Sequence, residues 1–194
     1  MPVLAAGGAL AITGVAIGLR KLAGERLMTV SILAATFFVG SLVHVPIGVS
    51  SVHLILNGLM GAILGWAAFP AIFVGLLLQA ILFQFGGLTV LGVNTFNMAM
   101  PAVLFGLMAR PLLLRGKGPR VFASFLCGAL AVAGSACLTA LALVCTGESF
   151  LLSAQLLLAG HLPVMLAEGV ITMLTVGFLA RVCPEILRLR QPRE

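Results

Sequence analysis

The sequence predicts an all-α membrane protein of about seven transmembrane helices, and three observations carry that prediction. Hydrophobic residues make up 61% of the 194 positions and charged residues 8%, where a soluble domain carries about a quarter charged. The apolar residues fall into long uncharged runs, and one membrane pass needs about 20 of them. All eleven Lys and Arg residues sit in three short clusters beside those runs. No stretch is polar enough for a separate soluble unit, so residues 1–194 read as a single integral-membrane domain.

The first run, Pro2 to Leu19, is ended by Arg20 and Lys21 and spans about 27 Å as a helix. No basic region precedes it, so it reads as a membrane helix rather than a signal peptide. The second, Leu27 to Val45, stops at the turn Pro46-Ile47-Gly48. The third runs from near His53 to Phe69. Pro70 opens the fourth, Ala71 to Phe85, since proline suits a first helical turn. Gly86-Gly87 ends that run, and a polar loop follows to Asn97, which stands where a helix N-cap would. The fifth is Met98 to Leu114 and the sixth Val121 to Cys145. A short amphipathic stretch, Phe150 to Leu158, leads into the seventh, His161 to Val182.

Orientation follows from the basic residues. Arg20, Lys21 and Arg26 form one cluster, Arg110, Arg115, Lys117 and Arg120 the second, and Arg181, Arg188, Arg190 and Arg193 the third. Seven passes put all three on one side, while the loops after the second, fourth and sixth passes contain no Lys or Arg. An even count would split the clusters. The expectation is an N-terminus outside and a C-terminus in the cytoplasm, in the cell inner (plasma) membrane.

Composition also excludes function classes. The net charge of +6 is confined to the ends of apolar runs, which suits lipid-headgroup anchoring and not a nucleic-acid surface. There is no Asp. The four cysteines, Cys127, Cys137, Cys145 and Cys183, form no C-x-x-C pair and read as small core residues. No phosphate-binding G-x-x-x-x-G-K-[ST] motif is present, so the chain is not itself an ATPase.

Polar side chains in apolar runs are costly and mark candidate sites. The expected topology gathers His44, Ser50, Ser51, His53, Asn57, Asn94, Asn97, Glu148 and His161 on the external side. His53 is the central candidate, because imidazole is the commonest side-chain ligand of divalent transition metals. Read as the start of the third helix, it shares a face with Asn57, Gly61 and Gly65 at four-residue spacing. His44 lies across the Pro46–Gly48 turn. Asn94 and Asn97, in the glycine-rich loop, are positioned to orient a ligating His or to cap the fifth helix. Glu168 is the one carboxylate deep in an apolar run, two helical turns beyond His161. It reads equally as a functional acid or as a packing lock. Gly7, Ala11, Gly14 and Gly18 form a small-residue stripe that permits close approach of another helix, within this bundle or from a partner.

Two stretches carry a family resemblance. His44-Val45-Pro46-Ile47-Gly48-Val49-Ser50-Ser51-Val52-His53-Leu54 is one, and Phe85-Gly86-Gly87-Leu88-Thr89 with Gly92-Val93-Asn94-Thr95-Phe96-Asn97-Met98 is the other. Together they resemble the CbiM/NikM family, the substrate-binding S components of energy-coupling-factor transporters for cobalt and nickel, and the likeness extends over nearly the whole chain. The resemblance implies a seven-helix fold with an external metal site closed by loops. It further implies a membrane coupling (T) subunit, a pair of ABC-type ATPases and, in some systems, a small auxiliary membrane subunit. It makes His53 a ligand to Co(II) or Ni(II), carried as substrate with no permanent cofactor. The family's remaining nitrogens come from an N-terminus reading Met-His, namely the terminal amine, the next backbone nitrogen and the second-residue His. This sequence begins Met1-Pro2-Val3, and the expectation is an in-frame Met-His start upstream.

The expected function is ATP-driven uptake of Co(II) or Ni(II), with Gly14 and Gly18 and the basic clusters as candidate partner contacts. Planar nitrogen ligation favours these ions over Zn(II), which prefers a tetrahedron. An S component for an organic micronutrient would need a cavity lined by aromatic side chains. There is no Tyr, and the single Trp, Trp66, falls on the cytoplasmic side. An intramembrane hydrolase built on Ser51 and His161 would need its nucleophile on a helix within reach of the base, whereas Ser51 lies in a run of turn residues.

Overall fold

Long apolar helices dominate the chain because a helix satisfies its backbone polar groups within one segment, without water. The structure, a computed structural model, describes residues 2–22, 24–42, 44–47, 50–147 and 150–187, and leaves the side chains of residues 25, 44–47 and 50–52 outside that description. The described residues form α1 (Pro2–Arg20), α2 (Leu27–Gly40), a hairpin of β1 (His44–Ile47) and β2 (Ser50–His53), then α3 (Asn57–Leu64), α4 (Ala68–Leu82), α5 (Leu91–Leu113), α6 (Lys117–Thr146) and α7 (Leu151–Val182). The protein is an all-α membrane protein. Among the described residues five stretches are long and apolar enough to cross a bilayer, and α2 is a shorter apolar helix.

Several boundaries differ from the sequence expectation, and four of the differences move candidate residues. The second helix stops at Gly40 instead of Val45. Proline at 46 disfavours helix at the residue before it, and the β-branched residues around it pair as the hairpin, with His44 opposite His53. The third helix accordingly starts at Asn57, so His53 ends a strand and shares no helical face with Asn57. The fifth begins at Leu91, placing Asn94 and Asn97 inside α5, where Asn97 caps nothing. Asn and Gly are poor helix formers by under about 1 kcal/mol each. That small penalty is overridden here by packing of Gly92 directly on the backbone of Gly8 in α1. Finally, α7 runs unbroken from Leu151 through Gly160 and Pro163 to Val182.

The segment Asn57–Leu82 is apolar enough for one 26-residue crossing, yet it folds back on itself. Asn57 at its start hydrogen-bonds Met98, and Gln79 near its end lines a cavity with the same Met98. The reversal is made at Gly65, whose φ of +57° suits glycine because a Cβ would be strained there. Gly65 approaches Leu107, well down α5. At eight residues, α3 is about 12 Å long and is a buried half-helix. Close backbone approach holds it: Gly61 meets Ala102, Gly106 meets Gly61, and Gly58 meets Gly128. Every α3 residue except Ala62 is buried.

Around this centre the outer helices turn leucines and isoleucines outward, with Ile12 73% and Leu174 63% exposed, as a lipid-facing surface requires. The stripe Gly7, Ala11, Gly14 and Gly18 is buried. Its glycines press on Val93 of α5, Phe69 of α4 and the Trp66–Pro70 turn, so it serves packing inside this chain. The basic residues gather near the α3–α4 turn and the α5–α6 turn. Lys21 Nζ lies 5.0 Å from the Trp66 ring centroid, and Arg26 donates to the Ile63 carbonyl at 2.7 Å. Arg120 donates to the carbonyls of Leu113 and Arg115 and shares a groove with Lys117 and Arg181. Arg188, Arg190 and Arg193 lie outside the described residues.

Candidate metal-binding site

At the opposite end of the bundle is a cavity of about 80 Å³ bounded by His53, Gln79, Gly86, Gly87, Asn94 and Met98, among others. Three elements build it. The hairpin delivers half-buried His53 from one side, the C-terminal half of α4 brings Gln79, and the first turns of α5 bring Asn94 and Met98. Gly86 and Gly87 also line it, with φ of +73° and +74°. The imidazole Nδ1 lies 3.0 Å from the Leu54 carbonyl oxygen.

His53 pairs with His44 in the hairpin, and the chain that follows it is anchored in the bundle. Residues 54–56 are non-helical and run into the bundle, where unpaired backbone N–H groups are expensive. Glu168 of α7, fully buried, meets that cost with one oxygen. Its Oε1 accepts from the amides of Ile55 at 2.5 Å and Leu56 at 2.8 Å. Leu56, the N-cap of α3, carries no capping side chain. The carboxyl oxygen from a different helix therefore does what an Asp or Ser N-cap does, accepting from amides at the positive end of the helix dipole. Of the two readings of Glu168, the geometry favours the packing lock. It is a lock on the segment that carries His53.

The other candidates separate by layer. Asn94 shares the cavity with His53. Asn57 lies beneath it, buried, with Nδ2 donating to the Met98 carbonyl at 3.1 Å, the Ala131 carbonyl at 3.3 Å and Ser135 Oγ at 2.7 Å. It ties α3 to α5 and α6. Asn97 donates to Thr139 Oγ1 at 3.3 Å and joins α5 to α6. His161 is half-buried with Nδ1 2.7 Å from the carbonyl oxygen of Leu157 on its own helix, outside the cavity. The side chains of His44 and Ser51 lie outside the described residues, as does Glu148.

Sequence reasoning missed Gln79. It is 4% exposed, borders the cavity, and its Nε2 has no hydrogen-bond partner. The signal was available, because Gln79 is the only polar side chain between Ala71 and Phe83, and a polar residue mid-membrane calls for a partner.

Among the described residues no three His, Cys, Asp or Glu side chains converge. His53 is thus a single imidazole facing amides. The amino-terminal end of α1 lies close by, since Gly7 packs on Val93 and Gly8 on Gly92, adjacent in sequence to Asn94.

Among the described residues, a bundle of lipid-facing helices with a small cavity bordered by His53, Gln79 and Asn94 at one end and cations at the other defines a multi-pass membrane protein. Comparison with known proteins is more specific. Residues 1–186 match the family described as the cobalt uptake substrate-specific transmembrane region, CbiM, and the chain belongs to that family. It is 42% identical to a candidate metal transport protein of Haemophilus influenzae over 96% of this chain and 92% of that one. It is 32% identical to the cobalt transport protein CbiM of Carboxydothermus hydrogenoformans, over 82% of this chain and 64% of the other. A crystal structure of a transition metal transporter superposes with a TM-score of 0.79 at 28% identity, over 92% of this chain and 88% of that one. The protein is therefore a multi-pass membrane protein of the cobalt-uptake CbiM type, and the relatives it resembles are metal transport proteins.

Proposed function

We propose that this chain is the substrate-binding subunit of an ATP-driven energy-coupling-factor importer, capturing Co(II) or Ni(II) from outside at His53. The observation that carries the reading is the cavity of about 80 Å³, bordered by one imidazole and two amides at the end remote from the cations. Its volume suits an ion with its ligands and is small beside the 300–1,000 Å³ typical of organic-ligand pockets. His53 supplies one nitrogen. The family's other donors belong to an amino-terminal Met-His, and the packing of α1 against Gly92 and Val93 directs the amino end of the chain toward the same cavity. Gln79 and Asn94 orient the imidazole or water on the ion. With the basic end at the cytoplasm, as lysine and arginine bias requires, the cavity opens outward. Release inward is driven by partner ATPases through a membrane coupling subunit, with a small auxiliary subunit as a further partner.

The test is radiolabelled nickel and cobalt uptake by cells expressing the chain from its natural start with a coupling subunit and ATPases. Uptake should require ATPase turnover and fall to background in His53→Ala. Uptake that persists in His53→Ala would remove the assignment.

A further inference from the structure

A second, larger cavity lies at the basic end, between α6 and α7, and no part of the metal-binding reading uses it. Its volume is about 460 Å³. Lys117 and Arg120, in the first turn of α6, and Arg181, in the last turn of α7, crown it, and Leu174, Gly177 and Phe178 form part of its wall. Phe178 is 61% exposed, so the wall faces outward, where acyl chains lie. Arg120 is partly committed to the carbonyls of Leu113 and Arg115. None of the three cations pairs with a carboxylate among the described residues.

Gly177 makes the space. A Cβ built there meets no atom within 4 Å, so the groove is open over that turn of α7 and a side chain added there would start into it.

We propose that this groove is a binding site for one anionic phospholipid of the leaflet at the basic end. The phosphate sits among Lys117, Arg120 and Arg181, and one acyl chain lies along Leu174, Gly177 and Phe178. Three cations above an apolar trough match a molecule with a negative head and an apolar tail. The positive N-terminal end of α6 adds to the attraction. A soluble anion would use only the head of this site, and an apolar partner helix would leave its cations unmatched.

Native mass spectrometry of the purified full chain tests the idea, with dioleoylphosphatidylglycerol titrated against dioleoylphosphatidylcholine. The expected result is retention of one phosphatidylglycerol in preference to phosphatidylcholine. Lys117→Gln and Arg181→Gln should each weaken it about fivefold, as one surface cation contributes. Arg20→Gln, which removes equal charge from the end of α1, should leave it unchanged. Gly177→Leu should also displace the lipid while keeping every cation, and size-exclusion profiles will confirm that each variant is folded. Equal retention of both lipids, retention unaffected by Gly177→Leu, or equal competition by soluble glycerol phosphate would each overturn the proposal. The last result would indicate simple anion binding, and equal loss in Arg20→Gln would indicate general surface charge.

Discussion

Glu168 shows how one buried side chain can set a binding site without touching its ligand. Its Oε1 satisfies two amides just beyond His53, so removing it leaves both N–H groups unpaired in the interior. Each unsatisfied group costs about 1–3 kcal/mol. Glu168→Ala should lower the melting temperature in detergent clearly and weaken metal binding, while Glu168→Gln, which keeps an amide oxygen as acceptor, should lose less of both. Equal behaviour of Ala and Gln would mean that the acceptor does not hold the segment. Gln79 makes a complementary case. With Nε2 unpartnered and bordering the cavity, it has no internal hydrogen bond to lose there, so Gln79→Leu should be close to neutral or stabilising in thermal melts. The same variant should reduce nickel affinity about tenfold, a shift of about 1.4 kcal/mol, measured by isothermal titration.

At the scale of elements, α3 depends on backbone contact. A methyl at Gly61 would be driven into the Ala102 carbonyl and one at Gly128 into the Glu168 carbonyl, and overpacking of this kind costs about 1–3 kcal/mol or more. Gly61→Ala and Gly128→Ala should therefore melt early or fail to assemble. Gly177→Ala, with open space around its Cβ, should hold its stability or gain up to about 1 kcal/mol. Thermal melts of the three variants in one detergent check this. The same elements explain what the sequence made legible. Helix existence was readable from uncharged apolar runs, and the residues of the cavity's near wall, His53 and Asn94, from polarity in the wrong place. Where α5 begins was not readable, because Gly92 and the asparagines signal a loop locally while contact with Gly8 decides the matter. Nor was the reversal at Gly65, since Asn57–Leu82 has the composition of a single span. The pairing of Glu168 with residues 55 and 56 joins positions more than a hundred apart, and no periodicity reports that.

At the scale of the whole molecule, the polar cavity and the described cations occupy opposite ends. If the basic end faces the cytoplasm, Ser51→Cys should react with a membrane-impermeant maleimide in intact cells, and Arg115→Cys only after permeabilisation. Both would be made with Cys137, Cys145 and Cys183 replaced by Ala and buried Cys127 retained. Reversed labelling would invert the proposed direction of capture. Metal binding itself provides the most direct measurement: equilibrium titration of Ni(II) and Co(II) into purified protein carrying its natural N-terminus, beside His53→Ala and Cys137→Ala. We expect one tightly bound ion per chain, abolished by His53→Ala and unchanged by Cys137→Ala. Tight binding that survives His53→Ala, or no binding by the natural chain, would contradict the assignment of this cavity as the metal site.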